Sequence, residues 1–341
     1  MLKTNHRLIN ADSRKISQIE TESIDLVITS PPYPMIEMWD KVFETMNPEL
    51  KNIIEKKNGN VFELMHRELD HVWCETIRAL KPGGIACINI GDATRSIDSN
   101  FQLFPNHSRI IQAFTAKGIN NLTNIIWRKP TNAPNKFMGS GMLPAGAYVT
   151  LEHEYILIFR KGSKREFKSE ENKLLRAKSA FFWEERNKWF SDIWEIKGAT
   201  QKIKGQNRNR SAAFPIELPY RLIQMYSLAG DTIFDPFNGT GTTTLSSIIS
   251  GRSSVGSELD PKLIDAFKVH LESLTIDQLQ KIPLDRLNDH KKFVDSKPLD
   301  FFIHHNKHYQ FPVKTKQETG IVIPMINTLQ LDENNINVTY N

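Results

Sequence analysis

Ser30-Pro31-Pro32-Tyr33 ends one apolar run, and Asp235-Pro236-Phe237-Asn238-Gly239-Thr240-Gly241 ends another about 200 residues later. The first string offers a hydroxyl, two carbonyls held by a stiff diproline backbone, and an aromatic face. Those groups suit the amino group of an unstacked nucleobase. An exocyclic amino nitrogen is a poor nucleophile because its lone pair is delocalised into the ring. If Ser30 Oγ and the Pro31 carbonyl accept its two N–H hydrogens, the nitrogen is favoured in a pyramidal form whose lone pair can attack an electrophile, with Tyr33 stacked on the base. The alternative is an ordinary proline-rich turn after a strand.

In the second string, Gly239 and Gly241 follow a strand and open a helix, so a ligand can approach the backbone with no Cβ in the way. The loop lacks the lysine of a phosphate-cradling P-loop, and Thr244 stands where G-x-G-x-x-G has its third glycine, which disfavours phosphate binding. Glu258 ends the next strand, 19 positions after Gly239, where a carboxylate can chelate both hydroxyls of a ribose. A ribose site without a phosphate site suggests S-adenosylmethionine. A tight turn and a solvated strand end are the bland readings. The covalent route used on pyrimidine ring carbons needs a thiolate after a proline, but Trp73 precedes Cys74 and Ala86 precedes Cys87. Direct in-line transfer to nitrogen remains.

These residues need a frame, and the chain of 341 residues is long enough for one large α/β core with an added module. Leu8–Asp12, Ile24–Thr29, Ile85–Ile90, Asp231–Phe234 and Ser254–Ser257 read as buried strands of a doubly wound, mostly parallel sheet. Helices are expected over 68–80, 108–117, 215–228 and 242–250. The runs 124–127 and 154–159 are expected to pair as its antiparallel edge, separated by a Gly/Pro/Asn-rich loop over 131–147. Residues 35–68 read as a polar, partly helical insertion, and the stretch after Leu274 as polar and irregular.

The net charge of +5 is unevenly spread: residues 160–210 hold 15 Lys and Arg against 7 Asp and Glu, leaving 29 against 32 elsewhere. That segment is either a polyanion-binding surface or a solvated loop; most of its Trp and Phe residues are expected to form a small core. Cys74 and Cys87 are expected to be buried reduced thiols, and His304, His305 and His308 a solvated loop without metal. No run of about 18 apolar residues and no secretory signal is visible, so a cytoplasmic protein with no membrane association is expected.

The motifs together resemble the DNA amino-methyltransferases of bacterial restriction-modification systems, in the permuted beta class whose catalytic motif precedes the cofactor motif. The resemblance covers roughly residues 8–270 and rests on Asn10-Ala11-Asp12-Ser13, Thr29 to Tyr33, Lys81-Pro82-Gly83-Gly84, Trp127-Arg128-Lys129-Pro130, His153-Glu154-Tyr155, Asp192-Ile193-Trp194, Phe214-Pro215, Asp235 to Thr243, and Glu258. It implies a Rossmann-like fold, S-adenosyl-L-methionine as cofactor, and double-stranded DNA as partner, with a cognate restriction endonuclease as a genetic rather than physical partner. It places Asp235, Phe237, Gly239 and Gly241 at the methionine end of the cofactor, Glu258 at the ribose, Asp12 near the adenine and Phe214 against the cofactor. Ser30, Pro31, Pro32 and Tyr33 would hold the target base, and the Ser-Pro-Pro-Tyr form implies N4 of cytosine, with N6 of adenine the alternative. The implied organisation is a catalytic half (1–160, with insertion 34–68), a target-recognition region (161–210), a cofactor-binding half (211–273) and a C-terminal extension (274–341). A non-catalytic nucleic-acid module and a small-molecule or protein methyltransferase are the rivals from other classes.

Overall fold

Ile24–Thr29 is buried at all six positions and Leu80–Ile90 from Ile85 onward, the continuous apolar pattern of strands covered on both faces. In the computed structural model they lie at the centre of a sheet that has eleven strands among the described residues. Its order is Ile326–Asp332, Asn335–Tyr340, Leu2–Asn10, Ser253–Glu258, Thr232–Asp235, Ile24–Thr29, Leu80–Ile90, His153–Arg160, Ile125–Arg128 and Ile193–Glu195, with Asn120–Asn121 also pairing with His153–Arg160. The five strands from Leu2–Asn10 to Leu80–Ile90 run parallel, and antiparallel strands flank them on both sides. The structure describes residues 1–55, 61–97, 100–129, 144–145, 149–198 and 214–341. The loop expected over 131–147, except Pro144 and Ala145, and the part of the basic segment over 199–210 lie outside these.

The expected helices are present with shifted ends. Val61–Ala79 begins a full two turns before the expected start, because Val61, Met65, Leu69, Val72, Trp73, Thr76 and Ala79 continue one buried stripe. Cys74 falls off that stripe and is exposed, which corrects the expectation of two buried thiols; Cys87 is buried in its strand, and desolvation pushes its thiol up. Ile125–Arg128 and His153–Arg160 do pair antiparallel, but they are not the edge, since Ile193–Glu195 adds to Ile125–Arg128 in parallel.

The larger correction concerns the tail. Instead of irregular chain it forms the helix Ile276–Asp295 and the hairpin Ile326–Asp332/Asn335–Tyr340, whose second strand pairs with Leu2–Asn10. Ile336, Val338 and Tyr340 alternate into the core, a period-2 signal with only one buried face. Helix Ile276–Asp295 docks on the aromatic part of the basic segment: Arg286 pairs with Glu185 and lies over Phe182 and Trp189, and His290 stacks on Phe182 at 4.0 Å between centroids. Phe182, Trp189 and Trp194 are buried there as core, while Phe190 is exposed. No helix among the described residues is long and apolar enough to cross a membrane.

Candidate active site

Strands Ile24–Thr29 and Thr232–Asp235 are neighbours in register, Leu26 opposite Ile233 and Val27 opposite Phe234, so their carboxyl ends release the two motifs side by side. One carboxylate joins them. Asp235 accepts from Thr29 Oγ1 at 2.6 Å, from Thr243 Oγ1 at 2.7 Å and from the Phe237 amide at 3.0 Å. Burial pushes its pKa up to about 6, against the pull of those hydrogen bonds. Asp235 therefore braces the two loops beneath the site.

Beyond Asp235 the chain turns at Gly239 and Gly241, both left-handed, with φ of +53° and +76°. They do different work. A Cβ on Gly239 would have only the Phe237 carbonyl nearby, at 3.8 Å, so its open side is ligand space; a Cβ on Gly241 would sit 2.3 Å from the Phe267 ring, so that glycine lets helix Pro261–Glu272 pack close. Glu258 accepts from the Gly239 amide at 2.8 Å and the Asp260 amide at 2.9 Å, one on each oxygen, which fixes the carboxylate and leaves a lone pair on each for a vicinal diol. The end of the N-terminal strand closes the floor: Ser13 Oγ donates to the Pro236 carbonyl at 2.7 Å, and the Ala11 amide to that of Glu258 at 3.2 Å. Asp12 is gripped by Arg14, which also reaches Glu68 at 2.6 Å; burial raises the Asp12 carboxyl, but the Arg14 contacts outweigh that and hold it below the usual range.

The result is a cleft of about 500 Å³. Six of the expected residues line it together: Asp12, Ser30, Pro32, Phe237, Gly239 and Glu258. Pro31, Tyr33, Asp235 and Gly241 are not among its lining residues. Phe214 does not line it; that ring is buried in the cluster with Leu26, Ile28, Trp127 and Trp194. Tyr33 is only 9% exposed, so in this conformation its ring offers a base little surface to stack on. Its hydroxyl is held by Ser30 Oγ at 3.1 Å, Glu154 Oε2 at 2.9 Å and Asn89 Nδ2 at 2.7 Å, and Lys129 Nζ pairs with the other Glu154 oxygen.

Sequence reasoning assigned no role to Asn89, a single polar residue inside a buried apolar run, or to the wall supplied by the insertion. Trp39, Val42 and Met46 line the cleft from that segment, spaced three and four apart as one face of a helical turn, which was the available signal. Among the described residues no group of His, Cys, Asp and Glu is arranged to hold a metal. The histidines 304 and 305 form a short strand paired with Pro312–Val313.

Residues 24–269 match the family described as DNA methylase. The chain belongs to the DNA methylase family. The methylase is 47% identical over 338 residues to the type II methyltransferase M.MthZI of Methanothermobacter thermautotrophicus, covering 98% of this chain and 94% of that one. It is also 52% identical over 274 residues to M.MjaI of Methanocaldococcus jannaschii, covering 77% and 89% respectively. Among solved structures it is similar to TTHA0409 of Thermus thermophilus in complex with S-adenosyl-L-methionine, at 31% identity and a TM-score of 0.61 over 78% of this chain and 92% of that one. PvuII DNA methyltransferase, described as cytosine-N4-specific, shares the fold with a TM-score of 0.57 at 18% identity, over 84% of this chain and 93% of that one.

The methylase is thus a DNA methyltransferase, and S-adenosyl-L-methionine is its cofactor. The residues of the cleft fit that group. Glu258 could take a vicinal diol, Gly239 leaves open space beside it, and Asp12, Phe237 and the apolar wall of Trp39, Val42 and Met46 complete a cleft of nucleoside size without a cluster of cations for phosphate among the described residues.

Proposed function

We propose that this methylase acts at specific sites in duplex DNA, transferring the methyl group to N4 of a cytosine turned out of the helix, in the manner of the permuted beta class. One observation carries the reading: Ser30 and Pro32 line the same cleft as Phe237, Gly239 and Glu258. Donor and acceptor therefore meet at the mouth of one crevice, as in-line transfer requires. S-adenosyl-L-methionine supplies a methyl group on a positively charged sulfur, an electrophile that needs no metal.

The chain supplies the rest. Ser30 Oγ and the Pro31 carbonyl accept the hydrogens of the base's amino group and hold the nitrogen pyramidal, with its lone pair directed along the cleft. Glu258 grips the ribose hydroxyls and Asp12 the adenine end. Asp235, braced between Thr29 and Thr243, holds the separation of the two loops fixed. Ser30 in place of an acidic or amide residue supports cytosine N4. Tyr33 stacks on the base once its ring is uncovered.

Target recognition falls to the part of the basic segment that returns to the carboxyl ends of the strands. Strand His153–Arg160 runs antiparallel to Leu80–Ile90, so residues from Lys161 to Lys178 leave at the amino ends of the strands. Ile193–Glu195, parallel to Ile125–Arg128, brings the chain back to the carboxyl ends at Lys197. We assign phosphate and base contacts to that returning part, and protection from a cognate endonuclease as the biological role.

The experiment is to methylate DNA with the purified protein, digest it to nucleosides and identify the product by mass spectrometry. N4-methylcytidine in its deoxy form is expected; N6-methyladenine as the only product overturns the choice of base, and no methylated amino group overturns the reading.

A further inference from the structure

Tyr33 has one hydroxyl hydrogen, and two of its three hydrogen-bond neighbours, Glu154 Oε2 and Ser30 Oγ, could accept it. Glu154 Oε2, 2.9 Å away, is a carboxylate oxygen and can only accept, while Asn89 Nδ2, 2.7 Å away, can only donate. The orientation of the Asn89 amide is itself set by this network, because the same nitrogen lies 2.7 Å from Glu154 Oε2, where an amide oxygen would face a carboxylate. A hydrogen sent to Ser30 would leave the Tyr33 oxygen 2.9 Å from a carboxylate oxygen with no hydrogen between them, so it goes to Glu154, and the Ser30–Tyr33 contact at 3.1 Å is donated by Ser30. Ser30 has then spent its only hydrogen behind the cleft. It also accepts from Asn89 Nδ2 at 3.5 Å, so what it presents forward is a lone pair.

We propose that Glu154 is a positioning residue that sets the hydrogen-bond polarity of the Ser30 hydroxyl, making it an obligate acceptor and so matching it to an amino group on the base. This rests on the reading above that Ser30 receives such a group. Three further observations support it. Burial, reinforced by the Glu154 charge, raises Tyr33 well above the ordinary phenol value, so the hydrogen being counted stays on the ring. Lys129 occupies the other Glu154 oxygen, so the carboxylate is anchored at both ends. The register Asn89 opposite Ile156 and Ile90 opposite Tyr155 brings Asn89 and Glu154 together across the Leu80–Ile90/His153–Arg160 pair.

Glu154→Gln tests the polarity and not merely the packing. Lys129 needs an acceptor, so the Gln oxygen turns to it and the Gln amide turns toward Tyr33, which no longer has an acceptor there. The Tyr33 hydrogen then swings to Ser30, and the Ser30 hydrogen swings into the cleft against the amine. At saturating DNA and cofactor, kcat for E154Q should fall roughly tenfold to a hundredfold, the range of one hydrogen bond to a charged group, with unchanged cofactor Kd and urea midpoint. Adding Lys129→Met frees the Gln oxygen to face Tyr33, and the double variant should recover much of the lost kcat. Tyr33→Phe alone should lower kcat, and E154Q added to it should cost little more.

Wild-type kcat in E154Q overturns the proposal, as does independent, multiplicative loss in the Tyr33→Phe/E154Q pair, or no recovery on adding Lys129→Met when the fold and cofactor binding are intact. Those results leave the wild-type product untouched. Absence of any amino-methylated base from the wild-type protein would instead remove the reading on which the proposal rests.

Discussion

The two ends of the central sheet make opposite use of charge and space. At the amino ends lies the larger cavity, about 760 Å³, lined by Lys81, Arg160, Lys164, Arg165 and Arg176 with Phe181 and Tyr226; at the carboxyl ends lies the smaller cleft of about 500 Å³. Volume and cations favour the first. Yet several of its charges are already engaged: Lys81 with Asp25 at 2.8 Å, Arg165 with Asp231 at 2.6 Å, and Arg176 over the Phe167 ring. Asp25 and Asp231 sit where neighbouring strands begin, so these pairs clamp the start of the sheet. The carboxyl-end cleft carries committed geometry with uncommitted valence: Ser30 and Glu258 are fixed from behind and open in front. A site is marked by what its groups still have to offer, not by how many there are.

The sharpest way to break that comparison is catalysis. Ser30→Ala should lower kcat for methyl transfer on the order of a hundredfold while leaving the cofactor Kd unchanged, and Gly239→Val should abolish cofactor binding by filling the open side of the loop. Lys164→Ala, at the other end, should alter neither. Calorimetric cofactor titration with single-turnover kinetics separates the three. Loss of cofactor affinity in Ser30→Ala equal to that in Gly239→Val would dissolve the division between the two loops.

Gly241→Ala should act on the fold rather than on the ligand. Its Cβ would fall 2.3 Å from the Phe267 ring at a φ of +76°, so both clash and backbone strain apply, at a cost of about 2 kcal/mol. A urea midpoint unchanged from the wild type would show that helix Pro261–Glu272 can yield, and would return Gly241 to the ligand side.

A smaller effect distinguishes the two basic regions. Replacing Arg128 and Lys197 together, at the carboxyl ends of their strands, should weaken DNA binding and flatten the dependence of log K on log salt by roughly one for each phosphate left without its cation. Replacing Arg160, Lys164 and Arg176 together should leave the slope alone. The reverse pattern would move the duplex to the far end of the sheet.

How much of this was legible follows from which signals are local. The diproline loop, the glycine turn and Glu258 each carry their chemistry within a few residues of a buried strand end, so both motifs and their meeting at one cleft are legible in the sequence. The count of cations was equally legible, but their location was not: it depends on His153–Arg160 running antiparallel, which reverses the end of the sheet at which Lys161 emerges. The hairpin ending at Tyr340 was missed for a similar reason. Its strands bury one face only, and their partner, Leu2–Asn10, is the other end of the chain. The Asn89–Tyr33–Glu154 network exists only through cross-strand register, and no spacing along the sequence announces it.

A last test sets two buried groups against each other through pH. His6 is fully buried between Thr4 and Ser254, and desolvation lowers it from 6.5 to about 3. Its folded form stays neutral, so the stability it contributes is complete above 6.5 and drains away as pH falls from 6.5 toward 3. Asp235 has the opposite sign: burial raises it from 3.8 to about 6, the folded state binds the extra proton, and stability declines as pH rises from about 4 to 6. Between pH 4 and 6 the two slopes oppose each other, each at most about 1.4 kcal/mol per pH unit, so the wild-type urea midpoint should be nearly flat there. Asp235→Asn should uncover the His6 slope, with stability rising with pH across that window, while His6→Gln should uncover the Asp235 slope, with stability falling. Only the change with pH reports titration, since the lost hydrogen bonds shift the level of each variant equally at every pH. Parallel curves for both variants and the wild type would mean that neither burial persists in solution, and that the brace beneath the cleft is looser than its hydrogen bonds require.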